Sequence, residues 1–192
     1  VEHPGHFDQP DSGSDDELMV GVQRGQLPQL GRLFDRHHRP LFQFFMRLTG
    51  ERHASEDLVQ DVFLRMLKYR ATYRPQSQFR TWMYQLARNA HIDRFKRTRH
   101  EAGLDPESSE PASPLPHPGE VLERSRELAT LRRALARLSP EHREVLVLSR
   151  FHGLSYREVG EVVGCAEGAV KVRVFRAMQQ LRRLVDERGA GA

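Results

Sequence analysis

At 192 residues, with 30 Lys and Arg against 26 Asp and Glu, a formal net charge of +4 and a pI near 9.6, the chain can hold one large or two small domains and fits a polyanionic partner, though the same balance suits plain solubility. Its single cysteine, Cys165, excludes an internal disulfide and a Cys-x-x-Cys metal box and fits a reducing cytoplasm; no apolar run approaches the roughly 18 to 20 residues of a membrane span, and the acidic start lacks a secretory signal. The charge is arranged in blocks: six acids and no base in residues 1–20, seven bases and one acid in 71–100, seven acids and two bases in 101–127, then twelve bases and seven acids in 128–192.

Residues 1–13 are rich in Pro, Gly and acids and read as a disordered tail, in which His3 and His6 are incidental rather than a metal tract. At Ser14 the run SDDE forms a capping box, with a hydroxyl at the N-cap and Glu17 three positions on, so a short helix is expected to about Arg24. A second helix is expected from Leu27 to about Leu48, ended by Thr49 and Gly50. Pro40 lies inside it, and because proline removes an intrahelical hydrogen bond at a cost of about 3 kcal/mol, the reading places a kink or break near Arg36 to Arg39. The third helix is read from an N-cap at Ser55, with Glu56 and Asp57 in its first turn, an inward stripe of Leu58, Val62, Phe63, Met66 and Leu67, and an outward face of Gln60, Asp61, Leu64 and Arg65. That face is either ordinary solvated surface or, through the exposed leucine, a protein contact.

A basic loop, KYRATYRPQSQ, leads past a cap at Ser77 into FRTWMYQLARNAHIDRFKRTRH, residues 79–100. Phe79, Trp82, Met83, Leu86, Ala87 and Ala90 recur at helical spacing and must be buried. The opposite face is expected to be solvent and carries Tyr84, Arg88, His91, Phe95 and Arg99, with Gln85, Asn89 and Lys96 on its flank. Guanidinium and ammonium groups bind phosphates, rings stack on unpaired bases and amides read base edges, so this face suits single-stranded or opened nucleic acid. The competing reading is a helix face whose rings pack on something elsewhere.

From Glu101 to about Pro118, prolines, serines and acids without apolar periodicity mark an extended linker, either a solubilising spacer or an anionic strand able to occupy a nucleic-acid groove. Leu128, Leu131, Leu135 and Leu138 then give an amphipathic helix. Ser139 and Pro140 stop it and start the next, from Glu141 to about His152, which Gly153 ends. Ser155 with Glu158 is a second capping box, opening a short helix through Val163; Gly164 and Cys165 turn the chain. The last helix, from about Glu167 to Glu187, buries Val170, Val174, Ala177, Met178, Leu181 and Leu184. A short capped helix, a glycine turn and a longer basic helix have the form of a helix-turn-helix, and Lys171, Arg173 and Arg176, with Val172, Phe175 and Gln179 on the outward side, suit a helix that meets base edges. A structural helical hairpin is the alternative.

Four segments in order, EDLVQDVFLRM (56–66), FRTWMYQLARNAHIDRFKR (79–97), LSPEHREVLVL (138–148) and GLSYREVGEVVGCAEGAVKVRVFRAM (153–178), resemble bacterial sigma-70 factors of the extracytoplasmic-function type. The resemblance covers roughly residues 16–186, and the short stretch before it favours the compact two-domain group. It implies an all-α protein of two small helical domains joined by a flexible acidic Pro-rich linker: a tail at 1–13, a region-2-like domain at 14–100, the linker at 101–119 and a region-4-like helix-turn-helix domain at 120–188. It further implies a cytoplasmic, non-enzymatic protein without cofactor or metal that directs core RNA polymerase to promoters.

By the same resemblance Asp57, Gln60, Asp61, Leu64 and Arg65 would meet the beta-prime clamp of the polymerase, and the C-terminal domain its beta flap. Tyr73, Arg80, Trp82, Tyr84, Arg88, Asn89, Lys96 and Arg97 would recognise and open the minus-ten DNA, with Asn89 at a position used to read a flipped base. Ser155, Tyr156, Lys171, Arg173, Phe175 and Arg176 would hold the minus-thirty-five duplex, and an anti-sigma partner is implied as well. The recognition helix departs from the family pattern at Ala166, Ala169 and Val172, where hydroxyl-bearing residues are usual; each loss removes a cap or a phosphate contact worth about 1 kcal/mol and puts the upstream base preference in doubt. The same residues also suit a stand-alone helix-turn-helix regulator that never touches polymerase, or a helical adaptor that uses Leu64 and the exposed rings for protein contacts alone.

Overall fold

The computed structural model describes residues 13–75, 78–101 and 124–189. The expected tail through residue 12, the Ser77 cap and residues 102–119 of the expected linker lie outside them. Among the described residues the chain forms eight α-helices and no strand: α1 (Asp15–Gln23), α2 (Leu27–Thr49), α3 (Arg52–Lys68), α4 (Phe79–Glu101), α5 (Arg124–Ala136), α6 (Pro140–Leu146), α7 (Tyr156–Val163) and α8 (Glu167–Gly189). None of them is long and apolar enough to cross a membrane.

The local signals set most of the ends. Ser14 Oγ accepts from the Glu17 amide at 3.2 Å while the Glu17 carboxylate takes the Ser14 amide at 2.8 Å, closing the first capping box; Ser155 and Glu158 repeat it at 3.3 and 2.7 Å. Gly50 and Gly164 end α2 and α7 at φ 74° and 76°, backbone that residues with a Cβ rarely adopt. Ser139 caps α6 and Pro140 opens it. Past Leu146 the helix widens into one π turn, Val147–Phe151, and the His152 amide bonds the Val147 carbonyl at 3.1 Å.

Two expectations need correction. Of the kink or break expected near Arg36 to Arg39, no break occurs: the second helix runs through Pro40 to Thr49. Leu33 on one side of the proline and Leu41, Phe44 and Phe45 on the other are all fully buried, and burial worth about 1.5–3 kcal/mol per side chain offsets a proline cost of about 3. The third helix begins at Arg52 rather than after Ser55. Ser55 is buried inside its first turn, donating to the Glu51 carbonyl at 2.6 Å and lying 3.0 Å from Thr49 Oγ1, so its hydroxyl serves a buried junction instead of a helix end.

α1 to α4 pack in sequence order into one helical group, and α5, α6 and α7 pack around α8 in a second. Their buried apolar side chains merge into one cluster, because α7 lies on α4 and the α6 end of the second group touches α2. This contact between the groups decides which side chains of α4 reach solvent.

Candidate nucleic-acid interface

The inward stripe of α4 is as the spacing predicts: Phe79, Trp82, Met83, Leu86, Ala87 and Ala90 are all buried. The opposite face splits. Toward its C-terminal end it opens, with Asn89, Phe95, Lys96 and Arg97 exposed. Asn89 and Lys96 stand on the wall of an open cleft of about 570 Å³, shared with Tyr69, Thr72, Arg65, Asp93, Leu86 and Ile92. A half-exposed ring at Tyr69, an amide at Asn89 and an ammonium at Lys96 give it a stacking surface, a base-edge reader and a phosphate partner. Arg65 ties the cleft floor together, its Nε donating to Asp61 at 3.1 Å and its Nη1 to Asp93 at 2.9 Å.

The first half of that face is not solvent, contrary to expectation. Tyr84 is 1 % exposed, and Gln85, Arg88 and His91 are half-buried. Arg88 Nε sits 3.1 Å from the Glu144 carboxylate, Gln85 donates to the Glu161 carbonyl at 3.1 Å, and Arg80 donates to the His152 carbonyl. Tyr84 Oη and His152 Nδ1 share a hydrogen bond at 2.8 Å. Burial pushes the Tyr84 phenol up to about 12 and holds the His152 and His91 rings down at about 4, with neighbouring arginines adding to the depression of both histidines; Glu144 is pushed up, chiefly by burial and against the pull of Arg88. For these residues the competing reading describes the structure: the rings and cations pack on the chain's own second helical group.

Tyr73 and Trp82 are also out of solvent. The Tyr73 ring stands 5.1 Å from that of Trp82, its hydroxyl donates to the Asp16 carboxylate, and the Gln23 side chain holds the Arg70 and Tyr73 carbonyls at 2.8 Å each, fixing the loop on α1. On α3, Gln60 and Leu64 are exposed, the leucine at 66 %, while Asp57 pairs with Arg94 at 3.3 Å and Asp61 with Arg65. The outward face of α3 is thus an apolar spot framed by carboxylates already engaged with cations.

The helix-turn-helix closes on a glycine. A Cβ at Gly160 would stand 2.5 Å from the Cys165 carbonyl, and the Gly160 carbonyl takes the amides of both Gly164 and Cys165. α8 presents Lys171, Val172, Phe175, Arg176 and Gln179 outward, Phe175 at 63 % exposure, with Arg173 half-buried beside them. Ser155 is spent on its own cap, and Tyr156 Oη accepts from Arg150 at 3.0 Å. At the departure from the family pattern the first turn of α8 hangs on the Ala166 carbonyl, which takes the amides of Ala169 and Val170.

Sequence reasoning placed Tyr69 in the basic loop but not Tyr69 and Thr72 beside Asn89; their signal is the position just past the end of α3, where the chain doubles back toward α4. It missed Glu144, Arg143 and His152 as neighbours of α4, since no periodicity in either half shows which polar surfaces will meet.

Residues 33–101 match the family description Sigma-70 region 2, and residues 128–181 match Sigma-70, region 4. The chain is 34% identical over 159 residues to the ECF RNA polymerase sigma factor SigE of Mycolicibacterium smegmatis, a match covering 81% of this chain and 61% of that protein. It is 34% identical over 157 residues to the RNA polymerase sigma factor CarQ of Myxococcus xanthus, covering 81% and 88%, and 32% identical over 177 residues to the ECF RNA polymerase sigma factor SigL of Mycobacterium tuberculosis, covering 89% and 97%. Among solved structures, CnrH in complex with the cytosolic domain of CnrY superposes with a TM-score of 0.71 at 26% identity over 91% of this chain and 99% of that one. The sigma factor RpoE in complex with the anti-sigma factor NepR from Bartonella quintana shares the fold at a TM-score of 0.70, with 24% identity over 81% and 96%.

Proposed function

The chain belongs to the extracytoplasmic-function group of the sigma-70 family, and on that premise we propose that it is a sigma factor that brings core RNA polymerase to a subset of promoters and helps open the DNA there. The polymerase performs the chemistry in the cytoplasm; this chain supplies binding energy. The observation that carries the reading is the meeting of Asn89, Lys96 and Tyr69 around one cleft at the open half of α4, with a second cationic and aromatic face, Lys171, Phe175 and Arg176, on a separate helix.

The division of labour follows from chemistry. Taking a base out of the duplex costs a few kcal/mol, and stacking it on a ring returns about 1–3, so a cleft with a ring, an amide and a cation can hold an extruded base. Lys96 and Arg97 engage backbone phosphate nearby, the exposed Arg80 adds a third cation, and Tyr84 and Arg88 extend the track once uncovered. α8 enters the upstream duplex, with Lys171, Arg173 and Arg176 on phosphates or guanines and Phe175 against thymine methyls. Ser155 and Tyr156 flank it at the start of α7. The exposed Leu64 with Gln60 on α3, framed by Asp57, Asp61 and Arg65, docks on the beta-prime clamp, the second helical group reaches the beta flap, and an anti-sigma protein covers the chain when transcription is to be held off.

Run-off transcription with purified core polymerase on genomic fragments tests this. Initiation at discrete sites that depends on adding the protein is the expected result. Failure of the protein to associate with core polymerase in a pull-down would refute the reading in favour of a regulator that acts alone.

A further inference from the structure

The Asn89 cleft has two unequal walls. Asn89 and Lys96 stand on α4, whose buried stripe holds that helix in place, whereas Tyr69 and Thr72 stand on the segment that leaves α3. That segment is a single 3-10 turn, Arg70–Thr72, and the four side chains from Tyr69 to Thr72 lie at the surface. Hydrogen bonds in such turns have poor geometry, and burial of these side chains cannot hold the turn in place.

The last residue of α1 does so instead. Gln23 donates through Nε2 to the Arg70 carbonyl and to the Tyr73 carbonyl, at 2.8 Å each, so one amide group grips the turn at both ends. Two carbonyls require two hydrogens on one atom, and a side-chain NH2 supplies them. The Arg70 carbonyl also takes the Tyr73 amide at 3.2 Å, and the Tyr69 carbonyl takes the amide and the hydroxyl of Thr72 at 2.8 Å each, so the grip passes to both cleft residues. α1 itself is fixed by the burial of Leu18, Met19 and Val22. The bond from the Tyr73 phenol to Asp16 is a different tie: it anchors a side chain whose ring also rests on Trp82, while Gln23 anchors the backbone.

Resting on the sigma-factor reading, we propose that Gln23 is a positioning residue for strand opening, pinning the turn so that Tyr69 and Thr72 face Asn89 and Lys96 across the cleft that holds the extruded base. A wall held in advance needs no ordering when the base arrives, and a released one must be ordered at each binding event. Loss of the clamp therefore weakens the hold on the opened strand and leaves duplex engagement by α8 and docking by α3 untouched.

The test uses holoenzyme assembled from core polymerase and the full chain, on a promoter located by the run-off assay, with permanganate reactivity as the measure of opening. Gln23→Leu lacks both hydrogens, Gln23→Glu keeps the shape but turns oxygen toward the carbonyls, and Gln23→Lys restores a donor able to reach both. The first two should lose reactivity by at least about fivefold, with the upstream footprint and core association unchanged, and Gln23→Lys should recover most of it. Gln26→Lys added to Gln23→Leu brings the same charge to an exposed site nearby and should recover nothing. Ser14→Ala weakens the capping of α1 without touching the turn, and at saturating protein it should open promoters as the wild type does. Helicity by circular dichroism is the folding control; should Gln23→Leu lose it, Gln23→Glu against Gln23→Lys decides, because both are charged and one donates. Wild-type opening in Gln23→Leu, equal opening in the Glu and Lys variants, equal recovery through Gln26→Lys, or an equal loss in Ser14→Ala would each overturn the positioning role. Core association separates the two ideas: if the Gln23 variants bind core and open promoters as the wild type does, the positioning role alone fails, whereas if no version binds core, the wild type included, the sigma-factor reading fails.

Discussion

The Tyr73 phenol donates a hydrogen bond to the Asp16 carboxylate across 57 positions of sequence, and the same carboxylate accepts the Phe79 amide at 3.2 Å. One acid in α1 thereby fixes both the loop before α4 and the first turn of that helix. Burial and the Asp16 carboxylate raise the phenol's pKa, so it remains a donor throughout the physiological range. Replacing Tyr73 by Phe keeps the ring against Trp82 and deletes the donor. A hydrogen bond to a charged group is worth about 1.5–3 kcal/mol, and a loss of that order should be read in urea unfolding. Promoter opening at saturating protein should be unchanged, since the hydroxyl faces α1; a variant of full stability that cannot open promoters would return Tyr73 to the DNA.

Asn89 to Ala isolates the cleft. Asn89 is exposed, and its removal should not disturb packing. Upstream duplex engagement, measured by footprinting, should hold, while permanganate reactivity of the opened strand should fall by about tenfold, corresponding to about 1.4 kcal/mol of lost base contact. Equal reactivity in mutant and wild type would exclude the amide as a base reader.

How much of this was legible beforehand depended on the range of the interaction. Ser14 with Glu17, Ser155 with Glu158, and Ser139 with Pro140 act within one turn, and the helices begin where those residues say. Ser55 misled because its hydroxyl answers to Thr49 and the Glu51 carbonyl, partners supplied by the α2–α3 junction. Pro40 does not break the helix because tertiary burial on both sides of it outweighs a local cost. On α4 the buried stripe could be read from spacing, but the exposure of the polar face could not. Tyr84 and Arg88 look like solvent-facing residues until Glu144 and His152 arrive from the second half, and a helical period carries no information about a partner some sixty residues away.

The contact between the two helical groups should respond to acid. His91 and His152 are held down at about 4 from an ordinary 6.5, by burial first and then by Arg143 and Arg88 for His91 and by Arg47 and Arg80 for His152. Both rings bind protons more weakly in the folded chain than in the unfolded one, so between about pH 6.5 and 4 the unfolded chain takes up more protons. Stability falls as pH drops through that window, by about 3 kcal/mol per ring once below it. Glu144, whose pKa is raised mainly by burial, acts in the opposite sense and returns part of the loss. Urea midpoints measured from pH 7.5 to 4 should decline, and His152 to Gln should flatten the decline. A midpoint independent of pH over that range would contradict the burial of these rings.

Arg173 and Arg176 share one face of α8 but differ in setting: Arg176 is exposed, while Arg173 is half-buried on the side toward Glu144. If each reads a base, alanine at either position should cost about 1–3 kcal/mol at the upstream element and relax preference at one base pair. If it contacts only phosphate, binding should weaken evenly across sequences and the salt slope should drop by about one. Comparing affinities on a set of singly substituted upstream elements at two salt concentrations separates the cases, and a variant that changes neither quantity removes that arginine from the interface.

Gly160 tests whether the second reader depends on its turn. With a Cβ at this position only 2.5 Å from the Cys165 carbonyl, the contact is to backbone and cannot be relieved by rotating a side chain. Alanine must therefore push α7 away from the turn that starts α8 or twist Gly164 out of its left-handed conformation at φ 76°. Overpacking of this kind costs about 1–3 kcal/mol. The expected result of Gly160 to Ala is a lower thermal midpoint and loss of upstream duplex binding, with α1 to α4 still folded, since their packing does not pass through this turn. Gly164 to Ala is the matched control: nothing lies within 4 Å of its Cβ, so its cost is the strain of positive φ alone, about 1 kcal/mol, and it should bind the duplex better than Gly160 to Ala. If alanine at 160 instead leaves both the midpoint and upstream binding intact, α7 and α8 are not held at the close approach on which the helix-turn-helix geometry rests.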